Sequence, residues 1–228
     1  MELVKGIDVS RWQGSIDWKT AAGDGCRFAF IKAGGSDAGF YKDPYFEQNI
    51  TGAYEAGIRI GCYYYVGAKC VTFADGAADG KRFVELVQPF RDKITLPLAM
   101  DFEAPPASDK AGNTAAARGF CKEIYEAGFL PMIYASEISG FRDRLNVSIL
   151  PDIPLWAAKW SAAPPSTVSW DVWQQTSQGS VAGISGPVDL DYYDPEAWEQ
   201  LDADPAPDQL RDALQRLRRL IVEVLIYL

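Results

Sequence analysis

Apolar residues along this chain come in short runs, most of them too short for helices, separated by stretches with helical spacing. Eight such runs read as strands, over residues 4–9, 28–33, 59–66, 96–102, 130–135, 155–159, 172–175 and 188–192. Between them, segments 45–56, 74–90 and 113–127 repeat their apolar positions every three or four residues. Gly57 and Gly128 stand where helix-ending glycines belong. In the last third the connections are short or rich in Pro, Gly and Ser, which leaves no room for a helix after every strand. The pattern predicts an α/β fold, an irregular (β/α) TIM-like barrel of eight strands with fewer than eight helices.

After Asp194 the pattern changes. Residues 202–208 carry two prolines among Asp and Ala and predict a linker, which ends a barrel domain spanning 1–201. From 209 to 228, Leu210, Leu214, Leu217, Ile221, Val224 and Leu228 form an apolar stripe at helical intervals. Such a C-terminal amphipathic helix docks on its own barrel, pairs with a second copy to make a homo-oligomer, or opens a further module.

The fourth run, Leu96-Pro-Leu-Ala-Met-Asp101-Phe-Glu103, ends abruptly in two carboxylates. Strand alternation places Asp101 and Glu103 on one face, about 6 to 7 Å apart along the chain, with Phe102 on the other. At that range one anion raises the other's pKa, so a proton donor can persist beside a carboxylate near neutral pH. This suits glycoside cleavage, although a solvated or helix-capping strand end has the same local sequence. In barrels the working residues gather at the C-terminal ends of strands. Asp8 lies late in the first run, and Asp189 and Asp191 lie in the last. Closure makes the first and last strands neighbours and brings Asp8 near Asp189, at a mouth shared with Asp101 and Glu103.

Composition removes competing chemistries. The 228 residues include no histidine, which excludes Ser-His-Asp and Cys-His nucleophile systems and the common hydrolytic zinc sites. Cys26, Cys62, Cys70 and Cys121 form no C-x-x-C pair, so reduced, buried thiols are expected, with no metal and no cofactor. A net charge of −9 gives no phosphate-neutralising surface, and nucleic acid is not an expected partner. No apolar run reaches the roughly 20 residues that span a bilayer. The first residues lead into a strand and show no apolar core of a secretory signal, so synthesis in the cytoplasm is expected.

Several segments, taken in order, resemble the lysozymes of glycoside hydrolase family 25. They are Gly6-Ile-Asp8-Val-Ser10-Arg-Trp-Gln-Gly14, Phe30-Ile-Lys32-Ala33, Gly61-Cys-Tyr63-Tyr-Tyr65, Asp101-Phe-Glu103, Met132-Ile-Tyr134, Leu155-Trp156, Trp173-Gln174 and Val188-Asp189-Leu-Asp191. The resemblance covers roughly residues 4 to 195. It implies hydrolysis, with retention, of the β-1,4 bond between N-acetylmuramic acid and N-acetylglucosamine in bacterial peptidoglycan strands. It makes Glu103 the catalytic acid and Asp101 its partner, with Asp8 and Asp189 as further catalytic acids. Asp101 would either orient the substrate's acetamido group or act as the nucleophile itself. Lys32, Tyr63, Tyr134, Trp156 and Gln174 match positions that contact substrate, the alternatives being a structural ion pair of Lys32 with Asp8 or Asp189, core packing for the aromatic residues and a loop hydrogen bond for Gln174. A phage or prophage endolysin is the expected setting, with the wall reached after release or by another export route. The chain departs from the family at Arg11 and Tyr64, where many members have histidine, and within residues 33–36, where a glutamate is replaced.

Overall fold

The computed structural model describes residues 2–150 and 153–202. It contains strands β1 (Val4–Val9), β2 (Phe28–Gly35), β3 (Tyr41–Lys42), β4 (Arg59–Tyr65), β5 (Leu98–Asp101), β6 (Pro131–Ser136), β7 (Leu155–Ala158), β8 (Val172–Gly179) and β9 (Val188–Tyr193). Eight of them close in the order β1-β9-β8-β7-β6-β5-β4-β2, with β2 pairing back onto β1; β3 is a short flap on the outer edge of β2. The irregular α/β barrel expected from the sequence is therefore present. The helices are α1 (Trp18–Gly23), α2 (Phe46–Glu55), α3 (Phe73–Val87), α4 (Lys110–Glu126) and α5 (Pro195–Asp202).

Local chemistry sets these bounds. Thr72 and Asp75 form a reciprocal capping box that starts α3, and Asp109 caps α4 by accepting from the Gly112 N–H at 2.8 Å. The helix expected over 74–90 starts one residue earlier and ends at Val87, where Pro89 turns the chain into a 3-10 segment, Gln88–Lys93. Gly57 and Gly128 leave α2 and α4 with φ of +74° and +79°. Between β6 and β9 the connections hold only short 3-10 or π turns among the described residues.

One strand departs from the expected layout. β9 runs antiparallel to both of its neighbours, β1 and β8, while the other barrel pairings are parallel. Asp189 therefore reaches the mouth from the beginning of its strand, not from its end. The short β8–β9 connection explains the reversal, because a parallel return needs a crossover of about a dozen residues or more.

Alternation along the strands divides the core in two. Outward side chains such as Ile31, Cys62, Met100 and Ile133 pack under α2, α3 and α4, whereas inward ones form an aromatic column. In that column Phe30 stacks on Trp156 at 4.5 Å, Tyr134 lies 4.5 Å from the same indole, and Phe28 meets Tyr193 edge-on at 5.1 Å. Gly6 and Gly61 make room for it: a Cβ at Gly6 would fall 2.4 Å from the Phe28 ring, and one at Gly61 would fall 2.3 Å from the Phe30 ring. Helix α5 closes the floor with Trp198, 5.8 Å from Phe28. Asp202 ends α5 instead of opening the linker. The rest of the expected linker and the helix over 209–228, with any self-association through it, lie outside the described residues. All four cysteines are buried and free. Among the described residues no helix is long and apolar enough to cross a membrane.

Candidate active site

The upper layer of the barrel interior is built from carboxyls. Asp8, near the end of β1, stands in register with Asp189, near the start of β9, while Asp101 ends β5. Glu103 follows two residues later at the rim, with Phe102 turned into the outer core as alternation requires. Burial, and next the negative charge of Glu103, hold the Asp101 carboxyl well above the ordinary range. Glu103 is also raised by the protein around it, with Lys32 and Arg144 pulling the other way. Asp189 is pushed up to about 6, by burial first and then by Glu103. Asp8 is raised by burial and then by Asp189 and Asp191. Raised acids hold their protons to higher pH than free carboxyls do, which is the direction general acid catalysis requires.

The five expected substrate contacts separate by depth. Lys32 forms no ion pair with Asp8 or Asp189 among the described residues; its Nζ sits over the rings of Tyr65, Tyr63 and Tyr41 at 4.7, 5.7 and 5.9 Å. Its charge bears on Asp101 and Glu103 instead. Tyr63 and Tyr134 are largely buried beside the acids. Gln174 is a connector: its Nε2 donates to Asp8 Oδ2 at 2.8 Å, while its Oε1 accepts from Tyr134 Oη and Trp160 Nε1, each at 3.0 Å. Trp156 lies a layer lower. Only 1% of it is exposed, and its Nε1 donates to Asp191 Oδ1 at 2.8 Å, so it presents no ring face to a sugar. The resemblance placed it among the substrate contacts; in this fold it packs inside the barrel, one layer below the mouth.

Trp160, not among the site residues expected from the sequence, has the open face that Trp156 lacks, with 65% exposed. It joins Glu103, Tyr134, Ser136, Ile138 and Lys159 in lining an open pocket at the mouth. Its position just beyond the seventh strand was the available signal, since strand ends supply barrel sites. Asp191, named from the sequence beside Asp189, lies two residues further along β9 on the same inner face. Arg144 was not legible in the sequence, because its approach to Glu103 depends on the path of an irregular connection.

The segment after Trp160 is pinned by a buried acid. Glu137 Oε1 accepts from the N–H groups of Ser166 and Thr167 at 2.5 and 2.8 Å, and Lys159 Nζ lies 3.5 Å from Oε2. Burial alone would raise this carboxyl, but these donors hold it below its ordinary value. Its contribution to stability is therefore present above the unfolded-state pKa and is lost as pH falls through the lower folded value. Glu137→Gln is expected to cost about 1–3 kcal/mol by leaving backbone donors poorly satisfied. Faster hydrogen exchange over residues 160–170 than in wild type would reveal it, and unchanged exchange there would contradict the pinning role.

The departures at Arg11 and Tyr64 fall outside the acid cluster. Arg11 is exposed and stacks on Trp12 at 4.9 Å, while Tyr64 lies in the outer core with its hydroxyl 3.5 Å from Asp79.

A mouth of buried carboxyls on an eight-stranded barrel, with an exposed indole beside them, has the chemistry of a glycosidase. A model of the glycosyl hydrolases family 25 matches residues 7–184, and the chain belongs to that family. It is thus a glycosidase of the lysozyme, or N-acetylmuramidase, type. Lysozyme M1 of Streptomyces globisporus is 31% identical over 207 residues, covering 85% of this chain and 69% of that protein. The autolytic lysozyme of Clostridium acetobutylicum is 28% identical over 191 residues, covering 83% of this chain and 56% of that protein. The crystal structure of the bacterial lysozyme from Streptomyces coelicolor superposes with a TM-score of 0.73 at 29% identity, covering 88% of this chain and 96% of that one.

Proposed function

We propose that this enzyme cleaves the β-1,4 bond between N-acetylmuramic acid and N-acetylglucosamine in peptidoglycan with retention, with Glu103 as proton donor and Asp101 as guide for the substrate's own acetamido group. The observation that carries this reading is the state of Asp101. Asp101 ends β5 two residues before Glu103, and its Oδ1 takes no hydrogen bond among the described residues, so the carboxyl keeps unused acceptor capacity that a turn of the side chain can present to the acetamido N–H. With that N–H held, the acetamido oxygen attacks the anomeric carbon as Glu103 protonates the leaving oxygen. Glu103 then removes a proton from the water that opens the cyclic intermediate. Asp189 supplies negative charge opposite the developing oxocarbenium, and the Trp160 ring offers a flat apolar face to a sugar.

Mass spectrometry of peptidoglycan digested by the wild type and by Glu103→Gln tests the assignment. New reducing ends on muramic acid from the wild type alone are expected; products ending on N-acetylglucosamine would overturn it. NMR of the first product formed reads the anomer, and initial release of the α anomer would exclude retention.

The pH profile supplies a further check. The active form carries one proton on the Asp101–Glu103 pair, so kcat/KM should be bell-shaped, with limbs that belong to the pair. Above about pH 6 Asp189 carries a negative charge that interacts with Glu103, and removing an anion lowers a neighbouring acid's pKa. Asp189→Asn should therefore move the alkaline limb toward lower pH, and an unmoved or opposite limb would contradict the electrostatic coupling.

The biological setting that we assign is an endolysin that reaches the wall from the cytoplasm after release. Cells producing the chain should stay intact until their membrane is permeabilised and then lyse; lysis without permeabilisation would count against this setting.

A further inference from the structure

Asp191 is a buried acid that the reaction above does not use. It is 0% exposed and faces Gly6 across the β1–β9 pair, and its Oδ1 accepts the Trp156 indole N–H. Its Oδ2 receives no hydrogen bond from an N–H or hydroxyl group among the described residues. On the inner face of the β1–β9 pair Asp8, opposite Asp189, is the diagonal neighbour of Asp191, opposite Gly6, which sets the two carboxyls toward one another. Asp8 is engaged on its other side by Gln174 Nε2 at 2.8 Å. Gln174 cannot turn over, because its Oε1 already accepts from both Tyr134 and Trp160.

Two carboxyls in hydrogen-bond contact need one proton between them, since an ionised carboxylate only accepts. Ionising both in an aromatic layer would set two desolvated anions side by side. No Lys or Arg among the described residues forms an ion pair with either acid. The other groups around them add no compensating charge. Asp189 on β9 and Asp101 on β5 are acids, while Tyr63 on β4 and Tyr134 on β6 are phenols kept neutral by burial. The cation of the mouth, Lys32 on β2, bears on Asp101 and Glu103. At the periphery, the Cys26 thiol is itself pushed up to about 12, by burial first, and Lys5 is engaged by Asp24 at 3.1 Å.

We propose that Asp8 and Asp191 share one proton and that Asp191 is a positioning residue: a single negative charge across the two carboxyls keeps Asp8 on Gln174, and Gln174 on Tyr134 and Trp160 beside Glu103. The network ties the barrel interior to the exposed indole at the mouth. Its kinetic consequence rests on the muramidase reading; the shared proton does not.

Infrared spectroscopy near neutral pH reads the proton directly as a protonated-carboxyl stretch. Asp191→Asn and Asp8→Asn should each remove the same band, the double variant should remove no second one, and Asp101→Asn should leave it in place. Asn at 191 retains both hydrogen bonds, with Nδ2 donating to Asp8 and Oδ1 accepting from Trp156, so kcat should stay within about tenfold of wild type. Leu at 191 offers neither bond, and kcat should fall about 10²-fold through misplacement of the mouth. A band that survives Asp191→Asn overturns the shared proton. A folded Asp191→Leu enzyme with wild-type kcat overturns the positioning role, and if that variant fails to fold, the infrared result on Asp191→Asn decides. If the band behaves as expected while Glu103→Gln remains active, the muramidase assignment fails and the shared proton stands.

Discussion

Glu103→Gln is expected to abolish wall clearing and the release of reducing ends, lowering kcat by about 10² to 10⁴ while the fold stays intact. Gln preserves the size and hydrogen-bonding reach of the side chain but has no proton to give, so the loss isolates proton transfer from shape. Glu103 stands at the rim, where replacing a carboxyl by an amide removes a raised acid and leaves no cavity. Thermal stability near neutral pH should therefore equal or exceed that of wild type. The sign follows from the raised pKa: the folded state holds this proton more tightly than the unfolded chain, so the residue's contribution to stability declines as pH rises between the two values. A Glu103→Gln enzyme that still clears walls at the wild-type rate would remove Glu103 from the mechanism. Lost activity together with a lost near-ultraviolet circular dichroism signal would instead point to a structural role.

Gly6→Ala is expected to cost about 3 kcal/mol, the upper part of the usual range for overpacking, which lowers Tm by about 6 to 12 °C in a domain of this size. The methyl would lie 2.4 to 2.5 Å from three carbons of the Phe28 ring. That ring has little freedom to retreat, being held by Phe30 at 5.9 Å, Tyr193 at 5.1 Å and Trp198 at 5.8 Å. Because all three clashes are with one ring, the remedy is specific. Phe28→Leu alone should destabilise by leaving space, whereas Gly6→Ala with Phe28→Leu should be more stable than the sum of the single changes predicts. Strict additivity in the double-mutant cycle would show that the glycine serves something other than this contact. The same cycle at Gly61 and Phe30 should rescue less well, since a Cβ at Gly61 also falls 2.8 Å from the immobile Pro97 carbonyl oxygen.

Legibility differed from element to element for physical reasons. Strands and their facing were readable because a period of two is a local property, and the separation of Phe102 from Asp101 and Glu103 needed nothing beyond it. The approach of Asp8 to Asp189 was anticipated from closure, but the route was not. A last strand running with the others would carry Asp189 late in its course, whereas β9 is reversed and delivers Asp189 from its first residues. Strand direction depends on the length and path of a connection. Trp156 and Trp160 show the same limit on a smaller scale: four residues apart, one fills the barrel interior and the other faces open space.

The amino-acid sequence alone determined the barrel class, the alternation that lines its interior, the absence of imidazole chemistry and the carboxyl pair at the end of the fourth barrel strand. Each of these follows from residue identity and short-range spacing. Tertiary structure decided the reversal of β9, the assignment of Lys32 to the Asp101–Glu103 side of the mouth, the exposure of Trp160 and the contact between Asp8 and Asp191. These depend on closure of the sheet, which brings together residues as distant in sequence as Asp8 and Gln174 and places them in a common low-dielectric interior. There their charges, and therefore their protons, are set by one another.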